Sequence, residues 1–310
     1  MLSESNKIIT TDDLLAKMKA IEACAKRRYA QETLPLPSPA TLPPVQIITL
    51  PLWPEAVRAV PNGMLRSALF GAIRRGARRY LRRERIAALE GIEIFYTGER
   101  LDQGDLDVWE MILHLARLQG LGNECRTTAY QLLKALGKTD SGKNREILDL
   151  RLSRMKATGV DVQIGRYGYE GSLIDEVYRD KETREYIFRI NPKLRILFED
   201  DQFTLVDWAI RRELDGKPLA QWLHGFYTSH AKPYPVSVAK LHELTGSEAG
   251  VLSDFKKDIR RALEALAEAS QAHHQPFSYE IYDDIVHADK MPSRAQRRHL
   301  AKKTPKPHQR

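Results

Sequence analysis

The stretch GVLSDFKKDIRRALEALAEA, residues 250–269, constrains this chain more than any other. Leu252, Phe255, Ile259, Leu263 and Leu266 recur at steps of three and four, the spacing of one face of an α-helix. The opposite side carries Ser253, Lys257, Arg260 and Arg261, with Lys256 on the flank. Just upstream, Gly246 closes a shorter helical run over residues 236–245. Two helices joined by a short glycine-containing turn, the second basic on its outer side, outline a helix-turn-helix. A solvated surface helix has the same pattern, so the neighbouring elements must decide.

Those neighbours occur twice. Residues 106–119, 127–136 and 145–156 predict helices, and Gly120, Gly137 and Gly159 stop them. Strands are expected over 160–169, 173–178 and 185–190. Further on, 202–214 and 220–229 predict helices, followed by the pair 236–245 and 251–269 and a hairpin from 277–281 and 284–286. Helices followed by a β-hairpin are the order of a winged helix-turn-helix, and its repetition says more than either copy alone. The expected fold class is therefore α+β, mostly helical, with tandem winged helix-turn-helix domains.

Boundaries follow from composition. Residues 1–45 hold a helix, expected from residue 10 or 11 to 29, and a linker, LPLPSPATLPP, whose prolines exclude helix. They form a flexible N-terminal extension. The first domain is placed at 46–200, with residues 64–89 expected as a helix in which arginines alternate with apolar residues. The second is placed at 201–288. Residues 289–310 are too poor in apolar residues to order themselves and are expected to be a disordered basic tail.

The net charge of +8 is concentrated. Residues 66–85 hold eight arginines against the single acid Glu84, and residues 289–310 hold eight Lys or Arg against one acid. What remains carries more acids than cations. Such local basicity attracts polyanions and leaves the fold open. The two cysteines, Cys24 and Cys125, form neither a metal spacing nor a disulfide framework. No signal peptide and no membrane span is expected, which predicts a soluble, cytoplasmic protein.

Catalytic patterns are not found. Leu136-Gly137-Lys138-Thr139 resembles the end of a phosphate-binding loop, but Leu132 stands where that loop needs glycine. The histidines are scattered or sit beyond a helix end, not in the His-x-His spacing a nickase would need. No metal, no cofactor and no enzymatic activity is expected. DNA contacts are expected instead from the N-terminal parts of the two reading helices: Ser141, Lys143, Asn144, Arg145 and Arg151, and Ser253, Lys256, Lys257, Arg260 and Arg261. The hairpins add Arg166 and Tyr167 in the first domain and Ser278 and Tyr279 in the second.

Several colinear stretches carry a resemblance: Trp53-Pro54, Arg58-Ala59 and Pro61-Asn62; Arg66-Ser67-Ala68-Leu69-Phe70; Tyr96-Thr97-Gly98; Val108-Trp109; Leu197-Phe198; Ser229-His230 with Pro233-Tyr234-Pro235; and Asp283-Asp284 with Val286-His287. In this order they resemble the TrfA family of plasmid replication initiators. The resemblance implies tandem winged-helix proteins that bind direct repeats (iterons) in double-stranded origin DNA and help open an adjacent AT-rich region, where single-stranded DNA is exposed. It implies recruitment of the host helicase with DnaA, recruitment of the replicase through the sliding clamp, and a monomer–dimer equilibrium. Family members carry a clamp-binding peptide of the Gln-Leu-x-Leu-Phe kind before the matching Trp-Pro. Here Gln46, Leu50 and Leu52 stand in that stretch, with the glutamine one residue too far away, and a strand or loop packed under the first domain is the alternative. A tandem winged-helix repressor would use the same helices without loading a helicase.

Overall fold

The computed structural model describes residues 50–303, except 75, 77, 120–123, 181, 184 and 200, together with the helical residues 19, 20, 22 and 23. The chain divides into two compact units, Met1–Val45 and Gln46–Arg310. Most of the expected N-terminal helix, the proline linker and Gln46 lie outside the described residues.

Within the larger unit, one block of elements occurs twice. The first copy is helix Gln103–Ala116, strand Glu124–Thr128, helices Ala129–Ala135 and Gly142–Lys156, and strands Glu176–Arg179 and Glu185–Arg189. The second is helix Pro218–Thr228, strand Val236–Ser237, helices Val238–Thr245 and Leu252–Ala272, and strands Phe277–Tyr282 and Ile285–Lys290. In each copy the last strand lies in the middle of an antiparallel three-stranded sheet, between the short first strand and its hairpin mate. The fold is thus mixed α/β, 43% helical, and not mostly helical as expected.

The first copy contains an insertion. Strands Gly159–Ile164 and Tyr167–Gly171 leave the block and join Ile92–Glu99 and Tyr80–Arg85 in a four-stranded antiparallel sheet. Alternate residues Leu81, Ile94, Tyr96, Val160, Val162 and Tyr169 are buried on one face, as period-two patterning requires. The helix expected over 64–89 is therefore corrected: among the described residues of that range only the end of Asn62–Leu65 is helical, and Tyr80–Arg85 is an edge strand. Gly76 sits at φ +149°, a conformation for glycine, and Arg83 at φ +50° marks a bulge between Leu81 and Glu84. Of the apolar residues that suggested a helix, Leu65, Leu69, Phe70 and Leu81 are buried in the first core cluster, whereas Tyr80 is exposed.

Buried apolar side chains fall into two clusters, one running from Trp53 to Trp208 and the other from Ile210 to Val286. Polar groups join them. Trp222 Nε1 donates to the Ser67 carbonyl at 3.0 Å, and the Ala72 amide donates to the Thr245 carbonyl at 2.7 Å. Arg211, fully buried, reaches Asp107 and Glu110 on helix Gln103–Ala116. The expected disorder from residue 289 is not found over Arg294–Lys303, which is a helix. Gln296 anchors it: its backbone amide donates to Ser293 Oγ and its side-chain amide to the Thr228 carbonyl at 2.7 Å. Two capping and docking hydrogen bonds supply the order that apolar burial does not.

Candidate nucleic-acid interface

In the second copy, Ser237 caps helix Val238–Thr245 by accepting from the Lys240 amide, and Gly246 at φ +59° ends it in the left-handed region. The chain then enters Leu252–Ala272, where Phe255, Ile259, Leu263 and Leu266 are buried as their spacing predicts. Leu252, expected on that face, is exposed, because it is the first residue of the helix and lies beyond the core.

The outer face is mixed in charge. Lys257 pairs with Asp254 at 3.1 Å and Arg261 pairs with Asp258, each within one helical turn. Lys256 reaches Asp284 at the hairpin turn, 2.6 Å away. Arg260 and Ser253 are exposed, and Arg260 forms no ion pair among the described residues. Tyr279 Oη donates to Glu264 at 2.8 Å, so this hairpin tyrosine lies against the helix beside Arg260. Surface pairs of this kind are worth ~0–1 kcal/mol, so a phosphate can displace the acids at little cost.

In the first copy the expected residues separate into two groups. Ser141 caps helix Gly142–Lys156, accepting from the Asn144 amide at 3.3 Å. The Asn144 side-chain amide donates to Thr139 O and Oγ1, holding the turn rather than facing outward. Lys143 is exposed, and Arg145 is exposed but grips Asp140 with two nitrogens at 2.6 and 2.7 Å. Arg151 is a correction: it points inward and is not available to DNA. Its Nη1 donates to Asp102 and Asp105, and its side chain is 12% exposed. Arg154 joins the same network through Asp105.

Those two aspartates form the capping box of helix Gln103–Ala116, each accepting the other's backbone amide. Burial pushes the Asp102 carboxyl up, but Arg151 and Arg78 more than offset this and hold it below its usual range. Burial, with the Asp102 charge beside it, pushes Asp105 up. Two buried carboxylates at a helix N-terminus need these cations. A spacing rule that sees only helix faces cannot detect that demand, since it arises 46 and 49 residues away.

The hairpin residues also differ from expectation. Arg166 lies exposed in the turn joining Gly159–Ile164 to Tyr167–Gly171. That hairpin belongs to the four-stranded sheet, whereas the hairpin equivalent to the second copy's is Glu176–Arg179 with Glu185–Arg189. Sequence reasoning missed this second hairpin as the counterpart; the pairing of Glu185–Arg189 with Glu124–Thr128 identifies it. Of the expected clamp peptide, Leu50 is half-buried against the first core, and Leu52 is 80% exposed.

Among the described residues no group of His, Cys, Asp and Glu is arranged to hold a metal ion, and no helix is long and apolar enough to cross a membrane. The family model described as TrfA protein matches residues 44–290. The chain belongs to the TrfA family. A curated relative, the plasmid replication initiator protein TrfA of Escherichia coli, is 27% identical over 243 residues. That alignment covers 76% of this chain and 62% of the relative, so the chain matches less than two thirds of that protein's length. Among solved structures, domains 2 and 3 of RctB match 74% of this TrfA-family chain and 96% of that chain, with a TM-score of 0.51 and 13% identity. At that identity the likeness concerns the fold.

Proposed function

We propose that the protein is a non-enzymatic plasmid replication initiator that reads direct repeats in double-stranded origin DNA with two winged-helix units. The observation that carries this is the repeated block: two helix pairs, each leading into a three-stranded sheet of the same strand order. Each block would place its longer helix in a major groove, Gly142–Lys156 in one and Leu252–Ala272 in the next, about one turn apart on one face of the duplex. Lys143, Arg145, Lys257, Arg260 and Arg261 are the exposed cations in the N-terminal halves of those helices. Arg166 would meet DNA only through the inserted hairpin.

Origin opening would draw on the low cost of deforming an AT-rich segment next to the repeats. Family membership supports recruitment of the host helicase with DnaA, of the replicase through its sliding clamp, and a monomer–dimer equilibrium in the cytoplasm. Leu52, exposed ahead of buried Trp53, is the side chain free to enter a clamp pocket. Gel-shift titration of the full chain against its plasmid's origin tests the reading. Stepwise complexes equal in number to the direct repeats, together with retention of host helicase, are expected. A single complex with no helicase retained would identify a repressor.

A further inference from the structure

The arginine-rich segment lies between the two candidate reading helices. On one side, Arg78 shares the Asp102 carboxylate with Arg151 of helix Gly142–Lys156. On the other, the Arg100 amide donates to the Arg79 carbonyl at 3.1 Å. The Arg100 guanidinium in turn holds the Gly246 carbonyl at 2.6 Å and the Glu248 carboxylate at 3.0 Å, in the turn that opens helix Leu252–Ala272. The Ala72 amide adds its hydrogen bond to Thr245. The segment is thus tied to both candidate reading helices by hydrogen bonds and an ion pair.

Apart from Arg78, its described arginines face outward. Arg74, Arg79, Arg82, Arg83 and Arg85 are exposed, and Arg74 and Arg82 form no ion pair among the described residues. Arg79 is held by Glu84 at 2.7 Å, Arg83 by Asp161 at 3.4 Å and Arg85 by Glu93 at 3.0 Å. Strand Tyr80–Arg85 is a sheet edge, which could in principle pair with another strand. Its bulge at Arg83 and its charges oppose that pairing. What it does present is the exposed cations Arg82, Arg83 and Arg85, which attract a polyanion.

We propose that Arg74, Arg79, Arg82 and Arg83 grip the sugar-phosphate backbone where the minor groove passes between the two major-groove sites. The proposal rests on the two-helix reading above and adds a third contact to it. Such contacts supply affinity and register without reading bases.

The test is salt-dependent binding of the full chain to a cognate-repeat duplex and to a random duplex, with hydroxyl-radical footprinting of the repeat. Each phosphate contact contributes about 0.9 to the slope of log affinity against log salt. Arg74→Gln with Arg82→Gln should lower the slope by about 2, weaken both duplexes by the same factor, and erase protection midway between the two outer protected regions. Both positions are exposed, so the melting temperature should stay unchanged, and lysine at both should restore the slope. Glu84→Gln, which frees Arg79, should steepen it. If the parent protects the repeat but the double variant keeps its slope and its central protection, the proposal is overturned and the two-helix reading stands. Loss of an acidic protein partner with an unchanged DNA slope overturns it equally. If the parent gives no protection on any repeat, the underlying reading fails first.

Discussion

Arg211 Nε donates to Asp107 Oδ1 across 2.6 Å, joining the first helix of one block to the chain that begins the other. Arg211 is wholly buried, and its Nη2 also donates to the Gln103 carbonyl and side chain. Through this residue helix Gln103–Ala116 of the first block is tied to the segment that leads into the second. Arg211→Ala should destabilise the protein by about 3–5 kcal/mol, because the Asp107 carboxylate would be left without its cation. Urea unfolding monitored by tryptophan fluorescence reads this directly.

Arg151 and Arg260 should separate structure from binding. Arg151→Ala leaves Asp102 and Asp105 underpaired and should cost about 3–5 kcal/mol in stability, with base preference unchanged in whatever folds. Arg260→Ala should leave the melting temperature within a degree or two and weaken cognate binding by about 1–3 kcal/mol. Paired thermal melts and binding titrations check both.

Acids on the reading helix should restrain it. Asp254→Asn releases Lys257, and cognate and random DNA should both bind more tightly, by a few-fold at low salt. Equal affinity of parent and variant across salt would show that Lys257 does not meet phosphate.

Stability should peak between acid and alkaline limbs. Burial lowers His114 and His230 from 6.5 to about 4 and His224 to about 3. The unfolded chain therefore binds more protons below pH 6.5, and stability falls as the solution is acidified from there. Burial pushes Glu110 the other way, from 4.5 up to about 8. Here the folded chain holds the extra proton, so stability also falls as pH rises towards 8. Glu110→Gln should flatten that alkaline limb and leave the acid limb in place, as measured by melting temperature against pH.

Leu52→Asp should abolish binding to the host sliding clamp without lowering the melting temperature, since the side chain is 80% exposed. Calorimetric titration with purified clamp checks it.

Local chemistry was legible where it decided structure locally. The 3–4 spacing of Phe255, Ile259, Leu263 and Leu266 placed a buried face, and Gly246 placed the turn before it. What misled was demand from afar. Arg151 sits on a helix face that looks solvent-directed, yet two carboxylates from another helix draw it inward. Residues 64–89 satisfy a helical pattern, but Gly76 and the cross-strand partners of Tyr80–Arg85 make a strand. The inserted hairpin displaced the expected wing for the same reason: strand partners are chosen by tertiary pairing, and pairing leaves little trace in sequence.

The most direct measurement is dimethyl sulfate protection of guanine N7 across one cognate direct repeat bound by the full chain. The account predicts two protected major-groove clusters about one helical turn apart on the same face, with Arg260→Ala relieving only one of them. A single cluster, or two relieved together by Arg260→Ala, would contradict a pair of independent reading helices.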